Sequence, residues 1–259
     1  MKRRASVCRS ALSGLTVVEL LVVMAVLAIL ASLLMPALSR FKARALVFRA
    51  RDEVDRLVSA VNHYESVYGR LPISTEARNG VLPLAEDYTY GSTFYCETGE
   101  RLVIGGPGQY LNNNNEVIAI LMDWERYPDG KATPNRDHVK NPKRIKFIEL
   151  PPARDDKSSG VGPDGAYRDP WGITYLITLD QNNDGRARDA FYRNPLVSAN
   201  PLDEERGLHG LVRGTDRHQK FVFEAKVPVI AWSPGPDTLI NANKKATEAV
   251  NKDNLISWR

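Results

Sequence analysis

Hydrophobic residues follow two successive patterns over the first quarter of the chain. Residues 20–35 form a run of 16 without a charge. With the apolar residues just before it, the run approaches the roughly 20 residues that cross a bilayer core. After Pro36 the apolar positions recur every three or four residues as far as Tyr68, which is typical of an amphipathic helix, and Gly69 marks its end. The pattern predicts one helix over 15–68, with a bend or local unwinding at Pro36.

The rest of the chain divides into a turn-rich middle and a β-rich end. We interpret most of residues 73–165 as surface loops, because turn formers are frequent there. The one strong apolar segment, from Glu116 to Trp124, predicts a short helix. Strands are predicted at 174–179, 191–192, 221–223 and 227–232. The predicted fold class is therefore α+β: a long N-terminal helix, with a transmembrane half and an amphipathic half, packed on a small C-terminal antiparallel sheet.

The net charge of +4 comes from the start of the chain. Four basic residues and no acidic residue lie within residues 1–14, and without that segment basic and acidic residues balance at 31 each. A chain with no net basic field is not steered towards DNA. We therefore expect no nucleic-acid partner.

The usual catalytic and metal-binding motifs are missing from the sequence. It contains only two cysteines, Cys8 and Cys96, and four histidines without HExxH spacing. This excludes a disulfide scaffold and a cysteine-rich zinc site. We also find no pattern that suggests a nucleophile with its base, and no glycine-rich phosphate loop followed by Lys. The sequence predicts a structural protein and not an enzyme.

Glu19 is a carboxylate within a long apolar segment, where an ionisable residue is costly and by default functional. Gly14, the residues Leu15-Thr-Val-Val-Glu19 and the apolar run resemble the class III leader of type IV pilins and type II secretion pseudopilins. The resemblance implies that a prepilin peptidase cuts between Gly14 and Leu15 and methylates the new N-terminus. It also implies that Glu19 pairs with the terminal amine of a neighbouring subunit during assembly. The alternative is a plain membrane anchor.

Two later motifs narrow the resemblance. Asp169-Pro-Trp-Gly172 is similar to a motif that precedes the sheet of the major type II secretion pseudopilins. The segment from Trp232 through Asp237, followed by a polar loop and the ending at Trp258, is similar to their calcium-binding C-terminus. The resemblance implies calcium ligands at Asp237 and at Asn254, or at Asp253 after a one-residue shift. The alternative is an exposed polar loop without metal.

A second candidate calcium site lies at Asp180–Gly185. It has oxygen-bearing side chains at loop positions 1, 3 and 5 and a glycine at position 6, as a calcium loop does. Position 12 is Phe191 instead of the bidentate Glu, so an EF-hand is not supported. We favour a hairpin turn without metal over a calcium site.

The basic residues are not confined to one side of the apolar run. Arg40, Lys42, Arg44, Arg49 and Arg51 follow it, so the positive-inside rule alone does not choose an orientation. We rely on the leader motif, which implies an inner-membrane, single-pass protein whose C-terminal domain lies in the periplasm.

Together these features predict five segments: a cleaved leader at 1–14, a transmembrane assembly helix at 15–38, an amphipathic half at 39–72, a variable region at 73–165, and a sheet with a C-terminal loop at 166–259. The resemblance implies a structural subunit of a type II secretion pseudopilus that helps to export folded proteins. Its expected partners are further copies of the chain, the prepilin peptidase, the inner-membrane assembly platform and minor pseudopilins. The alternative is a surface pilin for adhesion, motility or DNA uptake.

Overall fold

A computed structural model of the chain describes residues 16–80, 87–96, 98–106, 111–216 and 219–258. The α-helices are α1 (Val17–Tyr68), α2 (Thr75–Gly80), α3 (Asn115–Leu121) and α4 (Pro195–Ser198). The strands are β1 (Tyr88–Tyr95), β2 (Arg101–Gly106), β3 (Gly160–Val161), β4 (Tyr167–Arg168), β5 (Leu176–Leu179), β6 (Ala199–Asn200), β7 (Asp203–Gly207), β8 (Val212–Thr215), β9 (Phe221–Glu224), β10 (Val229–Ser233) and β11 (Leu255–Ile256). Short 3-10 helices lie at Arg136–His138, Leu208–Gly210 and Ala249–Asp253. The predicted leader at 1–14 and the cleavage residues Gly14 and Leu15 lie outside the described residues.

Helix α1 confirms the predicted helix. It ends at Tyr68, and the next residue, Gly69, has a positive φ of 62° and donates its N–H to the Glu65 carbonyl at 2.7 Å. This is the left-handed conformation that glycine adopts most readily after a helix. The helix continues through Pro36 without unwinding. The chain divides into two compact units, residues 1–45 and 46–259, so α1 contributes to both.

In the first unit, the large apolar side chains from Val17 to Phe41 are mostly exposed. Within the part of the chain that the structure describes, we find no helix with both the length and the apolar character that membrane crossing requires.

The second unit is α+β, with helices packed against antiparallel sheets. Its main sheet has five strands in the order β11-β10-β5-β1-β2. Strands β1 and β2 lie in the region that we interpreted as surface loops, and that interpretation was wrong for them. Glycine and hydroxyl residues in β1 weaken its hydrophobic alternation. Gly91 within it is required by packing, because a Cβ there would collide with the Ile104 carbonyl of β2.

Both faces of the main sheet are covered. On one face, Leu57 and Tyr64 of α1 join Ile177 of β5 in a core that also includes α3. On the other face, Leu176 of β5 and Trp232 of β10 belong to a second core. Since successive residues of a strand point to opposite faces, burial on both sides explains why all four residues of β5 are buried, including the polar Thr178.

Several local predictions need correction. Strands β5 and β10 confirm two predicted strands, and α3 confirms the predicted helix, although α3 ends at Leu121. The strand predicted at 191–192 was wrong: Phe191 and Tyr192 form a turn, and their rings pack on Trp232. The strand predicted at 221–223 exists as β9, but it belongs to a separate four-stranded sheet, β6-β7-β8-β9.

Candidate functional site

Glu19 and Thr16 form a capping box at the start of α1. The Glu19 carboxylate accepts hydrogen bonds from the Thr16 backbone N–H at 2.8 Å and from its hydroxyl at 2.9 Å, both on Oε2. The Glu19 backbone N–H donates in turn to the Thr16 hydroxyl at 3.3 Å. This reciprocal pattern satisfies N–H groups that a helix start leaves without intrahelical partners. The Thr-x-x-Glu spacing was the signal for it, and the sequence interpretation missed it.

The Glu19 carboxylate therefore has a local role in the isolated chain, and it is exposed. A role in pairing with another subunit has to be separated from this capping role. The proposed partner of Glu19, the amine of a chain that starts at Leu15, involves a residue outside the described part. Processing at Gly14 and Leu15 and pairing by Glu19 stay predictions.

The two C-terminal motifs lie in contact with each other. One oxygen of the Asp169 carboxylate accepts the backbone N–H groups of Trp171 and Ile173, each at 2.9 Å. The other accepts the Ser233 hydroxyl at 2.6 Å. Asp169 is fully buried, and burial raises its pKa to about 6, although these hydrogen bonds oppose that rise. The Asp-Pro-Trp-Gly turn is thus hydrogen-bonded to the end of β10.

Ser233 links these hydrogen bonds to the C-terminal loop. The Ser233 hydroxyl accepts the Gly235 N–H at 3.0 Å. Gly235 has a φ of 82°, and a Cβ there would collide with the Asp253 carbonyl oxygen. Ser233 also pairs with Leu255 between β10 and β11. The loop between these strands therefore closes on itself, which brings its two ends together.

The predicted ligand residues lie at these two ends. Burial raises the pKa of the Asp253 carboxyl, and a hydrogen bond from the Asp237 backbone counteracts the rise. This contact joins the two aspartates that the sequence separates. The Asp237 side chain accepts the Leu239 N–H at 2.9 Å, and Asn254 donates its amide to the Tyr192 hydroxyl at 2.9 Å.

Two oxygens at this loop closure are suited to a cation. Oδ1 of Asp253 and Oδ1 of Asn254 are both buried and have no hydrogen-bond partner among the residues that the structure describes. Buried oxygens of this kind usually have a partner, since desolvation without one costs about 1–3 kcal/mol each. Among the described residues, no group of three or more His, Cys, Asp or Glu side chains could hold a metal. A cation here would therefore depend on amide and carbonyl oxygens beside the carboxylates, which Ca²⁺ accepts.

The Asp180–Gly185 segment uses its oxygens differently. The two Asp180 carboxylate oxygens accept the N–H groups of Asp184 at 3.3 Å and Gly185 at 2.8 Å. The Asn182 side chain accepts the Asp184 N–H as well, at 2.9 Å. These hydrogen bonds close a turn after β5. The turn leads to Ala187, which bridges Ala225, and so it does not join the two strands that the hairpin interpretation required.

Sequence reasoning missed two buried carboxylates that accept hydrogen bonds from side chains of other segments. Asp189 accepts the Thr178 hydroxyl at 2.7 Å and the Trp232 indole N–H at 3.0 Å, and so orients the residue just before Ser233. On α1, Glu53 accepts the Tyr175 hydroxyl at 2.6 Å and pairs with Arg49 at 2.8 Å. The i,i+4 spacing of Arg49 and Glu53 on α1 is a local signal for their ion pair. The partners Tyr175, Thr178 and Trp232 belong to other segments of the chain, so no local signal could identify them.

Comparison of the chain with protein-family models, with curated proteins and with solved structures gave no match. The functional argument therefore depends on the residues and contacts described above.

Proposed function

We propose that the chain is a pilin-like structural subunit of a type II secretion pseudopilus, which helps to export folded proteins. The observation that carries the proposal is the start of α1. There a single carboxylate, Glu19, is followed by a helix whose large apolar side chains, where described, are exposed between Leu20 and Phe41. Exposed apolar surface on this scale is typical of an interaction surface. In an assembled filament, further copies of the same helix would cover this surface.

The proposed precursor carries its leader at 1–14 and is held in the inner membrane by segment 15–38, with its C-terminal domain in the periplasm. The prepilin peptidase removes the leader after Gly14. The assembly platform and minor pseudopilins then guide the subunit into a filament. In an apolar setting the Glu19 carboxylate needs a cationic partner, since an unpaired buried charge is strongly destabilising. The amine of Leu15 in a neighbouring subunit is the proposed partner.

Calcium is proposed as a structural ion at the C-terminal loop. Asp253 and Asn254 would contribute their buried oxygens, and Asp237 would contribute from the other end of the loop. Oxygen atoms from carboxylates and amides are the ligands that Ca²⁺ prefers. When bound, the ion would hold together the two ends of a polar loop whose closure is entropically costly.

The decisive experiment separates the charge of Glu19 from its capping role. Glu19→Gln retains an oxygen that can accept the Thr16 hydrogen bonds but removes the charge. Thr16→Ala is the matched control, because it removes the capping hydroxyl and leaves the carboxylate. We expect Glu19→Gln to be inserted and processed but to fail in filament assembly, measured by subunit cross-linking and by secretion of exported proteins. Thr16→Ala should assemble.

The opposite pattern would reject the proposed role of Glu19. If Glu19→Gln assembles normally and Thr16→Ala does not, the carboxylate acts only as a helix cap. If Glu19→Gln abolishes surface filaments but leaves secretion intact in a strain that depends on the chain, the surface-pilin alternative replaces the secretion role.

A further inference from the structure

Helix α1 carries three cations directly after its apolar segment. Arg40, Lys42 and Arg44 are exposed, and within the described residues none of them forms a salt bridge. The sequence explains this, because it contains no acidic residue between Glu19 and Asp52. Acidic residues one turn away, which commonly offset such charges on a helix, are absent here. We call these three residues the cation belt.

An apolar stripe leads into the cation belt. It consists of Ala31, Leu34, Met35, Leu38 and Phe41, which follow three- and four-residue helical steps apart from the adjacent pair Leu34 and Met35. These side chains line an open groove of about 450 Å³. Phe41 is 66% exposed and lies between two members of the belt in sequence. An apolar stripe that ends in cations is typical of a helix at the boundary between acyl chains and lipid headgroups.

Before the filament assembles, two occupants could cover the stripe, a second copy of α1 in register or a lipid surface, and charge decides between them. A second copy of α1 packed in register would place the belt against an identical belt, with no nearby acidic residue to offset the repulsion. Like charges brought together in this way oppose association. Phosphate groups of anionic lipids are complementary to the belt, and each Lys or Arg near such a surface strengthens binding severalfold.

We propose that the cation belt binds the phosphate groups of anionic phospholipids, with Phe41 at the boundary and the apolar stripe among the acyl chains. The inference rests on the proposed membrane placement of segment 15–38 and adds its lipid preference. It gives a physical reason for basic residues on the side of the apolar run where the positive-inside rule does not place them.

The test uses the full chain, synthesised in a cell-free system beside vesicles and recovered by flotation. One vesicle type is phosphatidylcholine alone, and the other contains about one third phosphatidylglycerol. The variant replaces the belt by glutamine (Arg40→Gln, Lys42→Gln and Arg44→Gln together). The matched control removes three exposed charges from the second unit (Lys220→Gln, Lys226→Gln and Lys244→Gln).

Phosphatidylglycerol should increase the partition of the wild-type and control chains on the order of a hundredfold at low salt, and much less at high salt. The belt variant should lose this gain and still bind phosphatidylcholine as the wild type does. An equal gain in the belt variant, or an equal loss in the control, overturns the inference while leaving the membrane placement intact. If the wild-type chain binds neither vesicle, the proposed membrane placement itself fails. A gain that is insensitive to salt and that follows self-association in cross-linking assigns the belt to a second copy and also overturns the inference.

Discussion

Asp169 provides the sharpest test of how the two C-terminal motifs depend on each other. Its carboxylate is fully buried and accepts hydrogen bonds from two backbone N–H groups and from the Ser233 hydroxyl. Asp169→Ala removes all three hydrogen bonds and leaves three donors without their acceptor. We expect a loss of about 3–5 kcal/mol in the free energy of unfolding, since bonds to a charged group are worth about 1.5–3 kcal/mol each and are not additive.

The loss should spread to the C-terminal loop. Ser233 also accepts the Gly235 N–H, so Asp169→Ala should loosen the contact between Gly235 and Asp253 and expose the loop to protease. Asp169→Asn should cost less, because its amide oxygen can still accept the two backbone N–H groups and its amide nitrogen can donate to the Ser233 hydroxyl. Unfolding of the full chain by urea in mild detergent, with limited proteolysis, measures both effects. Asp156→Ala is the control, because Asp156 is exposed.

The pH dependence supplies a second measurement on the same residue. Burial raises the pKa of Asp169 to about 6, whereas in an unfolded chain it is about 3.9. The folded state therefore binds this proton more tightly, and its contribution to stability is present at low pH. That contribution should fall by roughly 3 kcal/mol as the pH rises from about 4 to about 6. The difference in stability between wild type and Asp169→Asn should change over this range.

Two results would refute this reasoning. One is an Asp169→Ala chain as stable as the Asp156→Ala control and equally resistant to protease. The other is a stability difference between wild type and Asp169→Asn that stays constant from about pH 4 to about pH 6, the range between the two pKa values.

Three further predictions concern processing, calcium and the anchoring of α1. Gly14→Ala should leave the leader attached in intact-mass spectrometry, while recovery of a chain that starts at Leu15 from this variant would contradict the predicted cleavage. Calcium at millimolar concentration, the weak end of the extracellular range, should raise the melting temperature of the wild type and protect its C-terminal loop. Asp253→Ala should remove both effects, Asp180→Ala should retain them, and calorimetry without a binding signal would reject the site. Tyr175→Phe removes the hydroxyl that donates to Glu53 and should cost about 1.5–3 kcal/mol in urea unfolding, whereas an unchanged midpoint would show that Arg49 alone satisfies the carboxylate.

Local periodicity was enough for elements whose burial follows a simple repeat. Helix α1 was predicted because its apolar positions after Pro36 recur every three or four residues. Strands β5 and β10 were predicted because apolar and β-branched residues dominate short segments that are buried on both faces. The cap at Glu19 was also readable, since a capping box joins residues only three positions apart. Such features depend on neighbours in sequence, and the chain determines them by itself.

Strand β1 and the C-terminal loop depended on partners that are distant in sequence. Only the Ile104 carbonyl explains why residue 91 of β1 is glycine, because a Cβ there would collide with this atom of the neighbouring strand. The sequence suggested Asp237, Asp253 and Asn254 as ligands by resemblance. Two of their oxygens, which lack a partner among the described residues, become buried only when the loop has closed. Whether a polar atom finds a partner depends on long-range packing, which tertiary structure alone decides.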